Sequence, residues 1–151
     1  MITRLMNPDG RREHFVAEAA RELGAVQSGL TKRGLSGLEV QHAEAASGAD
    51  LQDARVVILD DRIRSGSTAI GAAKRANESG AREIWLSAIH PDFTPDALHP
   101  LETCGLFRGV TVASTWPQHV SLPTSDDAFL QVVPALDLGF WEALDAIEAA
   151  L

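Results

Sequence analysis

Residues 56–59, Val-Val-Ile-Leu, are an unbroken run of apolar, mostly β-branched side chains, and this run limits the fold more than any other stretch. A strand with one face in water alternates apolar and polar residues, whereas a strand with no polar position is covered on both faces. Helices reach both faces of a sheet when parallel strands are joined by helical crossovers. The rest of the chain repeats the pattern: strands are predicted at 2–6, 25–30, 55–59, 83–89, 110–114 and 129–133. Phe15, Val16, Ala19, Ala20 and Leu23 mark the face of one helix, and Ile70, Ala73 and Ala76 mark a second. Phe140, Leu144, Ile147 and Leu151 mark the last. The expected fold is α/β, with a mostly parallel sheet between two helical layers.

With 151 residues, 45% of them hydrophobic, the chain can bury one sizeable core, so residues 1–151 are expected to form a single domain. Residues 34–50, with scattered glycines and mixed charge, read as an exposed hairpin or flap. A formal net charge of −8 argues against a nucleic-acid surface, which uses a basic field to neutralise backbone phosphates. A small anion is compatible with that charge if a local device such as a helix N-terminus receives it. The start of the chain carries Pro8, Asp9 and Gly10 in place of a long apolar segment, and nowhere do 18 apolar residues run together. Neither a signal peptide nor a membrane span is expected. Cys104 is the only cysteine, which fits a reducing, cytoplasmic setting, and its apolar neighbours suit a structural thiol. The histidines show no metal-ligand spacing, and His90 alone falls at a predicted strand end near the acidic loop described next.

The segment with chemistry is 56–76, VVILDDRIRSGSTAIGAAKRA, in which the buried strand is followed by Asp60 and Asp61 and by a Ser-Gly-Ser-Thr turn that opens a helix. In open α/β sheets ligands gather at the carboxyl ends of the strands, where helix N-termini offer uncommitted N–H groups to anions. Ser65, Gly66, Ser67 and Thr68 are read as a phosphate cradle. Gly66 would let the backbone approach the ligand, the hydroxyls would donate to phosphate oxygens, and Thr68 could cap the helix. Asp60 and Asp61 are placed to accept from sugar hydroxyls or to hold Mg²⁺ through water.

This string resembles the phosphoribosyl-binding signature of type I phosphoribosyltransferases, in the version found in ribose-phosphate pyrophosphokinases. Four further segments resemble that family in the same order: NPDGRREHFVAEAARELGA at 7–25, TKRG at 31–34, AIHPDF at 88–93 and FLQVVPALDLGFWEALDAI at 129–147. The likeness is to the second, C-terminal half of those two-halved proteins. It implies a phosphoribosyltransferase-type fold that binds ribose 5-phosphate or phosphoribosyl pyrophosphate with Mg²⁺. By resemblance, Ser65, Gly66, Ser67 and Thr68 hold the phosphate, Asp60 and Asp61 the ribose, and Asp9 the magnesium. Lys32 matches a catalytic-loop lysine that steadies charge on the transferring phosphoryl groups.

The reaction so implied moves the β,γ-diphosphoryl group of ATP to the 1-hydroxyl of ribose 5-phosphate, a step of nucleotide biosynthesis. ATP would be held with the help of a partner chain, and a homo-oligomer is expected. Departures from the family pattern are Arg11-Arg12 in place of Gly-Gly, Gly34 in place of an arginine, Arg64 in place of an acid or small polar residue, and Ser67 in place of a glycine. Two alternatives stay open: a stand-alone phosphoribosyltransferase, with 34–50 or 115–127 as a hood over a base, and a non-catalytic regulatory or assembly subunit.

Overall fold

The structure is a computed structural model, and it describes residues 3–9, 13–28, 51–113 and 129–133. Six strands form one sheet: β1 (Thr3–Met6), β2 (Val26–Ser28), β3 (Arg55–Ile63), β4 (Glu83–Pro91), β5 (Gly109–Ala113) and β6 (Leu130–Val133). Their order across the sheet is β2-β1-β3-β4-β5-β6, and every neighbouring pair is parallel. Three helices are interleaved: α1 (Glu13–Leu23), α2 (Ser67–Glu78) and α3 (Leu98–Thr103).

The apolar run 56–59 does what its composition dictates. Val56 and Ile58 are fully buried on one face, in a cluster with Ala69, Ala72, Ala73 and Ala76 of α2 and Leu101 of α3. Val57 and Leu59 pack on the other face with Val16 and Ala20 of α1. Helices therefore lie on both faces and the expected three layers are present. The buried stripe of α2 has spacing i, i+3, i+4, i+7 and consists only of alanine, so the helix can lie close to the sheet. Ile70, read from the sequence as part of that stripe, is only partly buried at its margin. Leu23 is likewise not core: it is 71% exposed at the end of α1.

One boundary differs in a way that matters. The sequence places the end of the central strand at Leu59, yet β3 continues to Ile63. The extension is held by register with β4, where Arg62 pairs with His90 and Ile63 with Pro91, and by burial of Ile63. Asp60 and Asp61 are thus carried on the sheet and do not begin a loop. The predicted helix at 140–151 and the predicted hairpin or flap at 34–50 lie outside the described residues.

Candidate functional site

The parallel sheet brings the ends of β1 and β3 together at its carboxyl rim. After Met6 the chain turns through Asn7, which is 4% exposed. Its Nδ2 donates to the carbonyl of Leu59 in β3 at 3.5 Å, and its Oδ1 accepts from the Asp9 N–H at 3.1 Å. This is an Asx turn tied to the neighbouring strand. Arg75 of α2 adds a bond from Nη2 to the Pro8 carbonyl at 3.1 Å. Three elements therefore fix where Asp9 stands.

Beyond β3 the chain reaches α2 through Arg64, Ser65 and Gly66. Gly66 is in the left-handed region with φ 77°, and a Cβ there would lie 2.8 Å from Cγ of Leu101. Glycine is required at this point by backbone conformation and by packing under α3, so close approach to a ligand is not needed to explain it. Thr68 does not cap the helix. The N-cap is Gly66, which has no side chain to cap α2, the Ser67 N–H donates to Ser65 Oγ at a long 3.5 Å, and Thr68 is the second residue of the first turn. Helix geometry leaves first-turn N–H groups without intrahelical partners, and here they open towards the rim. Ser65 and Ser67 meet through their hydroxyls at 3.1 Å.

A cavity of about 260 Å³ gathers Asp9, Asp60, Asp61, Ser65, Gly66 and Thr68 along its walls, together with Arg62 and Arg64. Of the candidate residues chosen from the sequence, Ser67 touches this cavity only through Ser65, and Lys32 lies outside the described residues, as do Arg11, Arg12 and Gly34. His90 is the register partner of Arg62 but does not line the cavity. Cys104 is half-buried, and its thiol donates to the Leu101 carbonyl at 3.1 Å.

Asp60 is the perturbed group of the site. Burial first, and then the neighbouring Asp61 carboxyl, push its pKa from 3.8 to about 6. Asp60 also borders an apolar cleft of about 230 Å³ lined by Phe15, Leu59, Ala88 and Val112. One Asp60 oxygen accepts from the Asp61 N–H at 2.9 Å. Among the described residues no three His, Cys, Asp or Glu side chains converge as a metal-binding group. Among them also, no helix is long and apolar enough to cross a membrane.

Sequence reasoning missed Asn7, Arg62, Arg75 and Asp92. Asn7 had a readable signal, because Asn-Pro-Asp after a strand is turn chemistry. Asp92 follows β4 and faces both cavity arginines, at 3.6 Å from Arg62 Nη1 and 3.4 Å from Arg64 Nε.

No protein-family model matches the chain. It is 38% identical over 77 residues to a ribose-phosphate pyrophosphokinase of Nostoc sp., a match covering 51% of this chain and 22% of that protein. It is 29% identical over 114 residues to the ribose-phosphate pyrophosphokinase of Methanopyrus kandleri, covering 75% of this chain and 38% of that one. The crystal structure of phosphoribosylpyrophosphate synthetase from Mycobacterium smegmatis has the same fold, with a TM-score of 0.71 at 22% identity, over 99% of this chain and 46% of that chain. The chain thus spans less than half the length of each of these relatives.

Proposed function

Because this chain is a homologue of part of the ribose-phosphate pyrophosphokinases, we propose that it binds ribose 5-phosphate or phosphoribosyl pyrophosphate in the carboxyl-rim cavity. The supporting observation is convergence: Asp9, Asp60, Asp61, Ser65 and Thr68 come from two separate stretches of chain and line one cavity beside an uncapped helix start. In this reading the first-turn N–H groups and the Ser65 and Thr68 hydroxyls hold the phosphate. Asp60 and Asp61 accept from ribose hydroxyls. The three aspartates are hard oxygen donors that do not close into a cage, a set suited to a Mg²⁺ that keeps its waters and arrives with the ligand's phosphates. When bound there it would supply charge neutralisation.

Lys32 is proposed to steady charge on the transferring group, and ATP to be held with a complementary chain or segment. Diphosphoryl transfer needs donor and acceptor held in line, so turnover is expected only when that part is supplied. We place the protein in the cytoplasm, in nucleotide biosynthesis, as a homo-oligomer.

Isothermal titration with ribose 5-phosphate, phosphoribosyl pyrophosphate and ATP tests the reading. Binding of either sugar phosphate, weakened about tenfold or more in Ser65→Ala/Thr68→Val, is expected. These exposed residues are better probes than Gly66, whose replacement would disturb the packing of Leu101. Absence of heat with both sugar phosphates would refute the assignment.

A further inference from the structure

Arg75 stands on α2 outside the cavity wall and has no task in the pose just described. Its guanidinium reaches the site from behind: Nη2 donates to the Pro8 carbonyl at 3.1 Å, across 67 positions of sequence. Pro8 is fully buried and has no N–H, so that carbonyl is its only backbone hydrogen-bonding group. The same peptide unit carries the Asp9 N–H, which donates to Asn7 Oδ1 at 3.1 Å. A peptide unit is a rigid plane. Here both of its polar ends are held by side chains, one from α2 and one from the end of β1, and the plane leads directly into Asp9.

The helix is built to let that arginine through. Side chains on a helix lean towards its N-terminus, so Arg75 runs back over position 71, one turn earlier. Position 71 is glycine, and a Cβ added there would lie 3.6 Å from Arg75 Nη1. Atoms beyond that Cβ would compete with the guanidinium for its path. Glycine inside a helix is less stable than alanine and needs a reason. Gly71 does not have a positive φ, and it lies off the buried stripe of Ala69, Ala72, Ala73 and Ala76. The passage of Arg75 supplies the reason. Asp9 shares its cavity wall with Asp60 and Asp61, so where the 8–9 peptide holds Asp9 decides whether the three carboxylates can serve one cation.

Resting on the sugar-phosphate reading above, we propose that Arg75, given room by Gly71, is a positioning residue that clamps the Pro8–Asp9 peptide and so sets the Asp9 carboxylate for a Mg²⁺ arriving with the ligand. Arg75 acts through Asp9 and not on the ligand itself. The hold of the Ser65–Thr68 loop on phosphate is independent of the clamp, whereas the part of the affinity that depends on Mg²⁺ requires it. No bond is made or broken in this step.

The test is titration of the purified chain with ribose 5-phosphate, with and without Mg²⁺, in the wild type, Arg75→Met, Arg75→Lys and Gly71→Val. Circular dichroism checks that each variant is folded, and hydrogen exchange of the Asp9 amide is followed by NMR on the ligand-free chain. Arg75→Met should cut the gain in affinity conferred by Mg²⁺ roughly tenfold, the scale of losing a group that orients a metal ligand, and leave Mg²⁺-free affinity within about twofold. Arg75→Lys keeps a donor on a long stem and should recover much of the gain. Gly71→Val should lose it with Arg75 still present. In Arg75→Met the Asp9 amide should exchange about tenfold faster while the amides of α2 are unaltered. A Mg²⁺ gain or an Asp9 exchange rate that survives in Arg75→Met would overturn the clamp and leave the phosphate-loop reading intact. So would an equal loss of affinity with and without Mg²⁺, which marks a general structural role. A wild type that binds the sugar phosphate without any gain from Mg²⁺ would overturn the clamp and the cation assignment only. Failure of the wild type to bind at all would overturn the sugar-phosphate reading and the clamp together.

Discussion

The two rims of the sheet are built from the same strands and helices, yet their charged groups are partnered differently. At the amino rim a third cavity, of about 230 Å³, lies by the C-terminal ends of α2 and α3, and Arg82 and Arg108 line it. Helix C-termini carry partial negative charge, so cations there are complementary. The acid of that rim is paired too: Glu83 Oε2 accepts from Arg55 Nε at 3.0 Å, and this bond holds Glu83 below its usual pKa. At the carboxyl rim the start of α2 has no side-chain cap, Asp60 is pushed to about 6, and two arginines lean on one aspartate. One rim is internally balanced. The other holds groups whose best partner would be a ligand, which is where perturbed side chains tend to mark function.

The comparison is broken most forcefully through glycine. Gly66 and Gly105 both have positive φ, but a Cβ at Gly105 would meet nothing within 4 Å, whereas one at Gly66 would press on Leu101. Gly105→Ala should cost about 1–2 kcal/mol from backbone strain alone. Gly66→Ala should cost roughly 2–4 kcal/mol, because overpacking adds to the strain. Urea denaturation checks both, and equal losses would remove the packing argument. Adding Leu101→Ala to Gly66→Ala should cost less than the sum of the single changes.

Acid titration should separate the rims by sign. Between pH 4 and 6 native Asp60 holds a proton that the unfolded chain releases, so its contribution is full at low pH and is lost as pH rises through about 6. Asp60→Asn should flatten that limb and stabilise the protein at pH 7 by on the order of 1–2 kcal/mol, after allowance for solvent screening of a half-buried carboxylate. Glu83 behaves oppositely. Its lowered pKa stabilises above the unfolded value, and that contribution fades as pH falls, so Glu83→Gln should shrink the acid-side loss of stability. Stability curves across pH that move in the same direction for both variants would contradict the contrast.

The smallest effect concerns the amino-rim cations. Arg108→Gln should lower stability by about 0.3–1 kcal/mol through loss of helix-end complementarity, with ribose 5-phosphate affinity unchanged in titration. A loss of sugar-phosphate binding in that variant would mean that the ligand occupies the amino rim.

Most of this contrast could be read in the chain because burial leaves a pattern. The apolar run at 56–59 announced a strand covered on both sides, and the interleaved helical stripes announced the crossovers that make the sheet parallel. The acids and the Ser-Gly-Ser-Thr turn were visible as polar groups at the end of that run. What escaped the sequence was set by neighbours remote in the chain. Ile63 extends β3 because β4 offers register as far as Pro91, and no local propensity at 60–63 records that. Gly66 looked like a ligand contact because Leu101, 35 positions later, cannot be foreseen at the turn. Arg62, Arg64 and Asp92 likewise meet only through the pairing of β3 with β4.

The extension of β3 to Ile63 also bears on rates. Asp60, Asp61 and Arg62 project from a hydrogen-bonded ladder, so this part of the site is in place before any ligand arrives, and little ordering cost is added on encounter. In stopped-flow mixing, the observed association rate should then rise linearly with sugar-phosphate concentration and show a single phase, without the plateau that a preceding rearrangement would impose.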